Sequence, residues 1–199
     1  MRHQRGATVV DVVVTLALIG LTAGIAVANF ATIRRKGDME RLVRQLSADL
    51  MRCRILALTG GRNVGLVFVP TGGDGWYYCM VEDGDYDGVS RHDFLSGVDH
   101  TISPRMWLRF LCSDAGVGVP QGWRVPDPSG GGILVAGDGL RIGLHDIVSF
   151  SAAGHATAST LFFHDATDRM VALRIHGSLG RVRALEWRRG WRSWREMPL

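Results

Sequence analysis

Three carboxylates stand at alternate positions in Asp83-Gly84-Asp85-Tyr86-Asp87-Gly88. This is the first half of a calcium loop: acids at positions 1, 3 and 5 converge on one ion, and Gly at position 6 permits the sharp turn. The bidentate acid such a loop uses at position 12 is missing. Phe94 stands there, and Asp93 comes one residue early. Either a shortened loop closed by Asp93 takes calcium, or the segment is an acidic, solvated hairpin tip. Three acids this close repel one another without a cation. A second constellation closes the chain. Arg181, Arg183, Arg188 and Arg189, with Arg192 and Arg195, interleave with Trp187, Trp191 and Trp194. Basic side chains beside aromatic planes hold phosphates and stack on bases. Glu186 and Glu196 dilute the charge, and the opposing reading is an edge strand whose tryptophans cover the body or a neighbouring subunit. Cys53, Cys79 and Cys112 are too few for a disulfide scaffold and fit no C-x-x-C metal pattern. Cys79 and Cys112 fall on predicted strands; a bridge between them would stabilise by roughly 2–4 kcal/mol. The opposing reading is three buried thiols. No catalytic constellation is present: the 7 histidines are scattered, and the Gly-rich segments at 72–75 and 130–132 lack the Lys-Ser/Thr of a phosphate loop. An enzyme is the least supported class.

The elements that must position these residues fall into two halves. The chain has 199 residues, 46% of them hydrophobic, which suits one domain with a packed core plus an anchoring segment. Its 26 glycines point to a turn-rich body. The net charge of +4 and pI near 9.4 permit an anionic partner without demanding one.

Residues 5–30 read RGATVVDVVVTLALIGLTAGIAVANF, with one acid, Asp11. Val12 to Ile33 carries no charge and as a helix spans roughly 33 Å at about 1.5 Å per residue. That is close to the roughly 30 Å hydrocarbon core of a bilayer. A plain membrane anchor is one reading. A secretory signal peptide cut after Ala26-Val27-Ala28 is another, although the run is long for one and an acid near its start is unusual. Arg2, His3 and Arg5 precede the run and Arg34-Arg35-Lys36 follows it. Both flanks are basic, so charge alone sets no orientation.

Beyond Gly37, Met39, Leu42, Val43, Leu46, Leu50, Cys53 and Ala57 recur in steps of three and four, the mark of one helix face. One helix from about Thr8 to Leu58 is expected, with glycines at 20, 24 and 37 as soft points. From residue 62 the period changes to that of strands: Val64 to Val69, Trp76 to Val81, Trp107 to Leu111, Ile147 to Phe150, Thr160 to Phe163, Arg169 to Ile175 and Gly180 to Trp187. Residues 113–145, rich in Gly and Pro, read as a long surface loop.

The N-terminus resembles the type IV prepilin leader, a short basic peptide ending in Gly that a peptidase removes. Gly6 would be the last leader residue, Ala7 the first mature one and Asp11 the fifth. The family usually has Phe first and Glu fifth. Ala28-Asn29-Phe30 is similar to the family's Val-Pro-Asn-Phe segment, with Ala28 in place of Pro. Toward the other end, Val148 to Thr157 resembles the F-x-x-x-G strand and turn of the GspH/FimT family, and Gly180-Arg181-Val182-Arg183 its closing Gly-Arg-x-Arg strand. The physics suits Asp11: cleavage after Gly6 creates an ammonium on Ala7, one helical turn away. A buried carboxylate is tolerable when so paired, within a subunit or between neighbours.

The resemblance implies an α+β, pilin-like fold: a long N-terminal transmembrane helix packed on a C-terminal antiparallel β-sheet body. It implies a leader (1–6), a transmembrane or filament-core half helix (7–33), an amphipathic outer half (34–59) and a periplasmic β-rich domain (60–199). The expected function is that of a minor pseudopilin or minor pilin of a type II secretion pseudopilus or type IV pilus. It would be cut by prepilin peptidase and methylated on Ala7. The implied location is the inner membrane, single-pass, and then an assembled filament. Implied partners are other pilins or pseudopilins, the peptidase and the inner-membrane assembly platform. The alternative function is DNA capture for uptake through the arginine-rich end.

Overall fold

The computed structural model describes residues 9–72, 75–113, 115–137, 139–142 and 146–198, with the backbone alone over 25–36. The predicted leader, Gly6 and Ala7 lie outside the described residues. The chain divides into two compact units, Met1–Gly37 and Asp38–Leu199.

The first helix, α1, is Val9–Gly60. In the first unit its side chains from Val9 to Leu21 are exposed. Among the described residues no helix is long and apolar enough to cross a membrane. A spanning helix needs about 20 consecutive apolar residues. No described stretch of a helix meets that requirement. This corrects the transmembrane assignment of 7–33, and with it the inner-membrane, single-pass placement with a periplasmic body. The expected fold class is corrected too, since the body is two antiparallel sheets rather than one.

In the second unit, β1 (Val64–Thr71) and β2 (Gly75–Glu82) form a hairpin, followed by α2 (Arg91–Ser96). Then come β3 (His100–Thr101), β4 (Met106–Trp107), α3 (Leu108–Leu111), β5 (Gly116–Val117) and β6 (Leu140–Ile142). The chain closes with β7 (Ile147–Phe150), β8 (Ser159–His164), β9 (Arg169–Ile175), β10 (Val182–Arg188) and β11 (Arg195–Met197). One sheet runs β3-β2-β1-β7 with β4 also on β2; the other runs β11-β10-β9-β8-β5 with β6 also on β8.

Period-2 alternation sorts each strand between two faces. Leu66 and Phe68 of β1, and Leu161, Phe163, Val171 and Leu173 of β8 and β9, point into the main core. The same core takes the helical positions Met39, Leu42, Val43, Leu46, Leu50, Cys53 and Ala57, all at most 1% exposed. The opposite face of the first sheet buries Val67, Tyr77, Cys79 and Ile147. The opposite face of the second buries Phe162, Met170, Ala172 and Trp187. Strands covered on both faces read as nearly continuous apolar runs, as VGLVFV and STLFF do.

Two polar ties fasten the helix to the strands. Tyr78 donates its hydroxyl to Asp49 at 2.8 Å, and Gln45 donates to the same carboxylate at 3.0 Å. Arg169, 4% exposed, pairs with Glu186 at 2.8 Å and reaches Glu40 at 3.9 Å. The predicted strand Trp107 to Leu111 is corrected: only Met106–Trp107 is extended, and Leu108–Leu111 is a helical turn that buries Leu108 and Leu111. The expected loop 113–145 contains β5, β6 and a bridge between Pro126 and Ile133.

Candidate functional site

Asp11 lies in the first turn of α1. Around it Val9, Val10, Val12, Val13, Val14, Leu16, Leu18, Ile19 and Leu21 are all exposed, by 51% to 80%. These positions cover every side of the helix, not one stripe. The threonines do not interrupt this apolar surface: Thr15 donates to the Asp11 carbonyl at 2.6 Å and Thr22 to that of Leu18 at 2.9 Å. Such back-bonding satisfies a hydroxyl inside the helix that carries it. Gly6 and Ala7 lie outside the described residues, so the geometry from Ala7 to Asp11 does too.

The structure brings Asp83, Asp85 and Asp87 together, each offering a carboxylate oxygen within 4.8 Å of the others. Such a trio can hold a metal ion. Asp83, however, is fully buried and its oxygens already work. It accepts from the Tyr86 N–H (2.7 Å), the Gly88 N–H (2.9 Å) and Asn63 Nδ2 (2.8 Å). These bonds shape the turn and hold Tyr86 at φ 72, outside the usual range for a side-chain-bearing residue. Arg62 covers the Tyr86 ring at 4.2 Å. Asp87 is exposed, and its carboxyl is pushed above the ordinary value by its hydrogen bond to Asp85 and by that group's charge. Asp93 is occupied elsewhere. Its N–H donates to Ser90 Oγ at 3.1 Å while the Ser90 hydroxyl bonds its carboxylate, so the pair caps α2.

Two of the six C-terminal arginines are matched to carboxylates. Arg183 makes a two-pronged pair with Glu196, both bonds 3.1 Å, which holds the Glu196 carboxyl below its ordinary value. Arg188 donates to Glu186 at 2.9 Å. Arg181 and Arg189 are exposed. The tryptophans are engaged in packing. Trp187 is buried and donates to the Trp191 carbonyl at 2.9 Å, and Trp194 donates to that of Pro126 at 2.6 Å. Trp191 and Trp194 lie against the cluster built on Phe162 and Met170.

All three cysteines are buried, and no disulfide joins any two of them among the described residues. Cys79 belongs to the outer face of the first sheet and Cys112 to the main core. The suggested pair is therefore not joined. Burial first, then the nearby Asp49 charge, pushes the Cys53 thiol up to about 12. Burial likewise raises Cys79.

Two residues that the sequence did not single out, Arg109 and His164, line one cleft. They are far apart in the chain and belong to no motif; only the juxtaposition of the β1–β2 hairpin end with β5 and β8 unites them. The chain matches no protein-family model, no curated protein and no solved structure.

Proposed function

We propose that this chain is a structural subunit of a pilus-like filament, a minor pseudopilin or minor pilin cut after Gly6 by a prepilin peptidase. One observation carries the reading: α1 exposes apolar side chains on every side from Val9 to Leu21, with Asp11 as the one charge between Val9 and Gly24. A helix apolar all round is one destined for burial. Equivalent helices of neighbouring subunits supply that burial, each Val, Leu or Ile contributing on the order of 1.5–3 kcal/mol when fully covered. Asp11 then sets register, because a carboxylate inside such a bundle is tolerated only opposite a cation, and the new Ala7 ammonium is one. DNA capture has less support, since Arg183 and Arg188 are matched to Glu196 and Glu186 and the tryptophans are packed.

The test is the intact mass of the chain made with and without a prepilin peptidase, followed by assembly of Asp11→Ala. The expected result is a chain beginning at Ala7 only when the peptidase is present, and an assembled fraction that collapses in Asp11→Ala. A chain keeping Met1–Gly6 in both samples, or an Asp11→Ala variant that assembles as the parent does, overturns the reading.

A further inference from the structure

The outer face of the second sheet carries a row of arginines. Register places Arg141 of β6, Thr160 of β8, Arg174 of β9 and Arg183 of β10 directly opposite one another across adjacent strands. Opposed residues of antiparallel strands share a face and stand about 4.5–5.5 Å apart at Cα. This is the face away from the main core, because Leu161, Leu173 and Ala184, the next residues along, point into that core. Like charges set directly opposite each other are destabilising, and here Arg174 faces Arg183.

The ends of the row are tied to acids. Arg141 pairs with Asp127 at 2.7 Å, and Arg183 makes its two bonds to Glu196, both 3.1 Å. Arg174, in the middle, donates to the Pro128 carbonyl at 3.5 Å, the outer limit of a hydrogen bond. A cleft of about 250 Å³ opens beside it, bordered by Arg141, Thr160, Arg174 and His176. The Thr160 hydroxyl and the His176 ring add side-chain donors. The volume is below the roughly 300–1,000 Å³ of organic-ligand sites, so it suits a compact ion. Residues 143–145, which follow β6 outside the described residues, are Gly, Leu and His and bring no carboxylate.

We infer that this cleft binds a small tetrahedral oxyanion, inorganic phosphate or the phosphate of a monoester, held by the Arg174 guanidinium with the Thr160 hydroxyl and the His176 ring at its sides. A planar guanidinium meets two such oxygens at once through charge-assisted bonds. The bound ion stands beside the opposed Arg174 and Arg183 and offsets their repulsion, so binding also stabilises the fold. The site uses no residue of α1, so a chain that fails to assemble into a filament still binds.

The experiment is an NMR titration of the full chain in non-ionic detergent with inorganic phosphate and, in parallel, glycerol phosphate. Sodium chloride at equal ionic strength is the reference, and an oligothymidylate supplies phosphodiesters. The expected result is a saturable shift of the Thr160, Arg174 and His176 signals with at least one of the first two ligands, those arms separating a free ion from a monoester. Arg174→Gln should weaken that binding about tenfold, the loss of one charge-assisted contact. It also removes a like-charge pair, so without phosphate it should withstand denaturant at least as well as the parent, and its lost binding is then not lost folding. Thr160→Val should weaken binding as well, while Arg105→Gln, whose guanidinium lies over Tyr77, should bind as the parent does. An equal response to chloride, an unchanged Arg174→Gln, or no saturable shift with either phosphate overturns the inference. So does saturation by the oligothymidylate alone, which would mark a diffuse polyanion surface.

Discussion

The Tyr78 hydroxyl donates to the Asp49 carboxylate at 2.8 Å, in a place where both residues are buried. Through this bond the helix holds the first sheet at a fixed point, amid side chains that otherwise offer only apolar contact. Burial first, and then the bond to Asp49, raises the Tyr78 phenol far above its ordinary value. Tyr78 should therefore stay protonated for as long as the fold survives. Ultraviolet titration should show its ionisation only together with unfolding. Tyr78→Phe should cost about 1.5–3 kcal/mol, the range for a bond to a charged group. A denaturation midpoint unchanged in Tyr78→Phe would remove the tie.

Asp83 organises its turn whether or not an ion is present. Asp83→Ala leaves the Tyr86 and Gly88 N–H groups and the Asn63 amide without the acceptor that the fully buried Asp83 provides. The expected loss is about 2–4 kcal/mol, one to two unsatisfied donors' worth. Gly84 is equally constrained, because a Cβ there would lie 2.0 Å from the Val98 carbonyl oxygen. Gly84→Ala should disturb the same loop. Hydrogen exchange at Tyr86 and Gly88 is the direct measurement, and unaltered protection in Asp83→Ala would contradict this account.

Asp165 gives the fold an acid limb. Burial works against its charge, but N–H bonds from Thr167 (2.9 Å), Arg169 (3.1 Å) and Asp168 (3.2 Å) outweigh it, and the carboxyl sits below its ordinary value. A depressed folded value means that the contribution is complete above the unfolded value near 3.9. It is lost as pH falls from there through the folded value. Asp165→Asn should be less stable than the parent at neutral pH by about 1–3 kcal/mol. The gap should narrow in acid. Denaturant unfolding at a series of pH values would show it, and a gap that stays constant to strong acid would exclude the mechanism.

The thiols should be silent in the native state. With Cys53 raised to about 12 and Cys79 also raised, little thiolate is present at neutral pH, and all three side chains are buried. A thiol reagent should label none of them quickly until denaturant is added, and then all three. An intact mass short by two hydrogens, with Cys79 and Cys112 joined in the peptide map, would instead reveal the Cys79–Cys112 bridge.

Much of the packing was legible along the chain. Met39, Leu42, Val43, Leu46, Leu50, Cys53 and Ala57 recur at the helical period, and each is buried. Leu66 and Phe68 alternate with Val67, and the structure sends them to opposite faces. Short apolar runs were less decisive. Trp107 to Leu111 suits a strand or a helical turn by composition, and burial of Leu108 and Leu111 together settled on the turn. The charged strand β11 carries no alternation of its own; it exists because β10 offers an edge with Ala184, Leu185 and Glu186 to pair.

Local pattern thus determined the helical face in the second unit, the main hairpin and the clustering of acids in one turn, because each depends on spacing within a few residues. Tertiary structure decided what those acids do: Asn63, remote in sequence, claims an oxygen of Asp83. It also decided that the C-terminal tryptophans pack on Phe162 and Met170, and that Arg109 and His164 share a cleft. The physical reason is common to all three. A side chain's partner is set by which strands lie side by side, and strand order is a long-range outcome of burying both faces of two sheets at once.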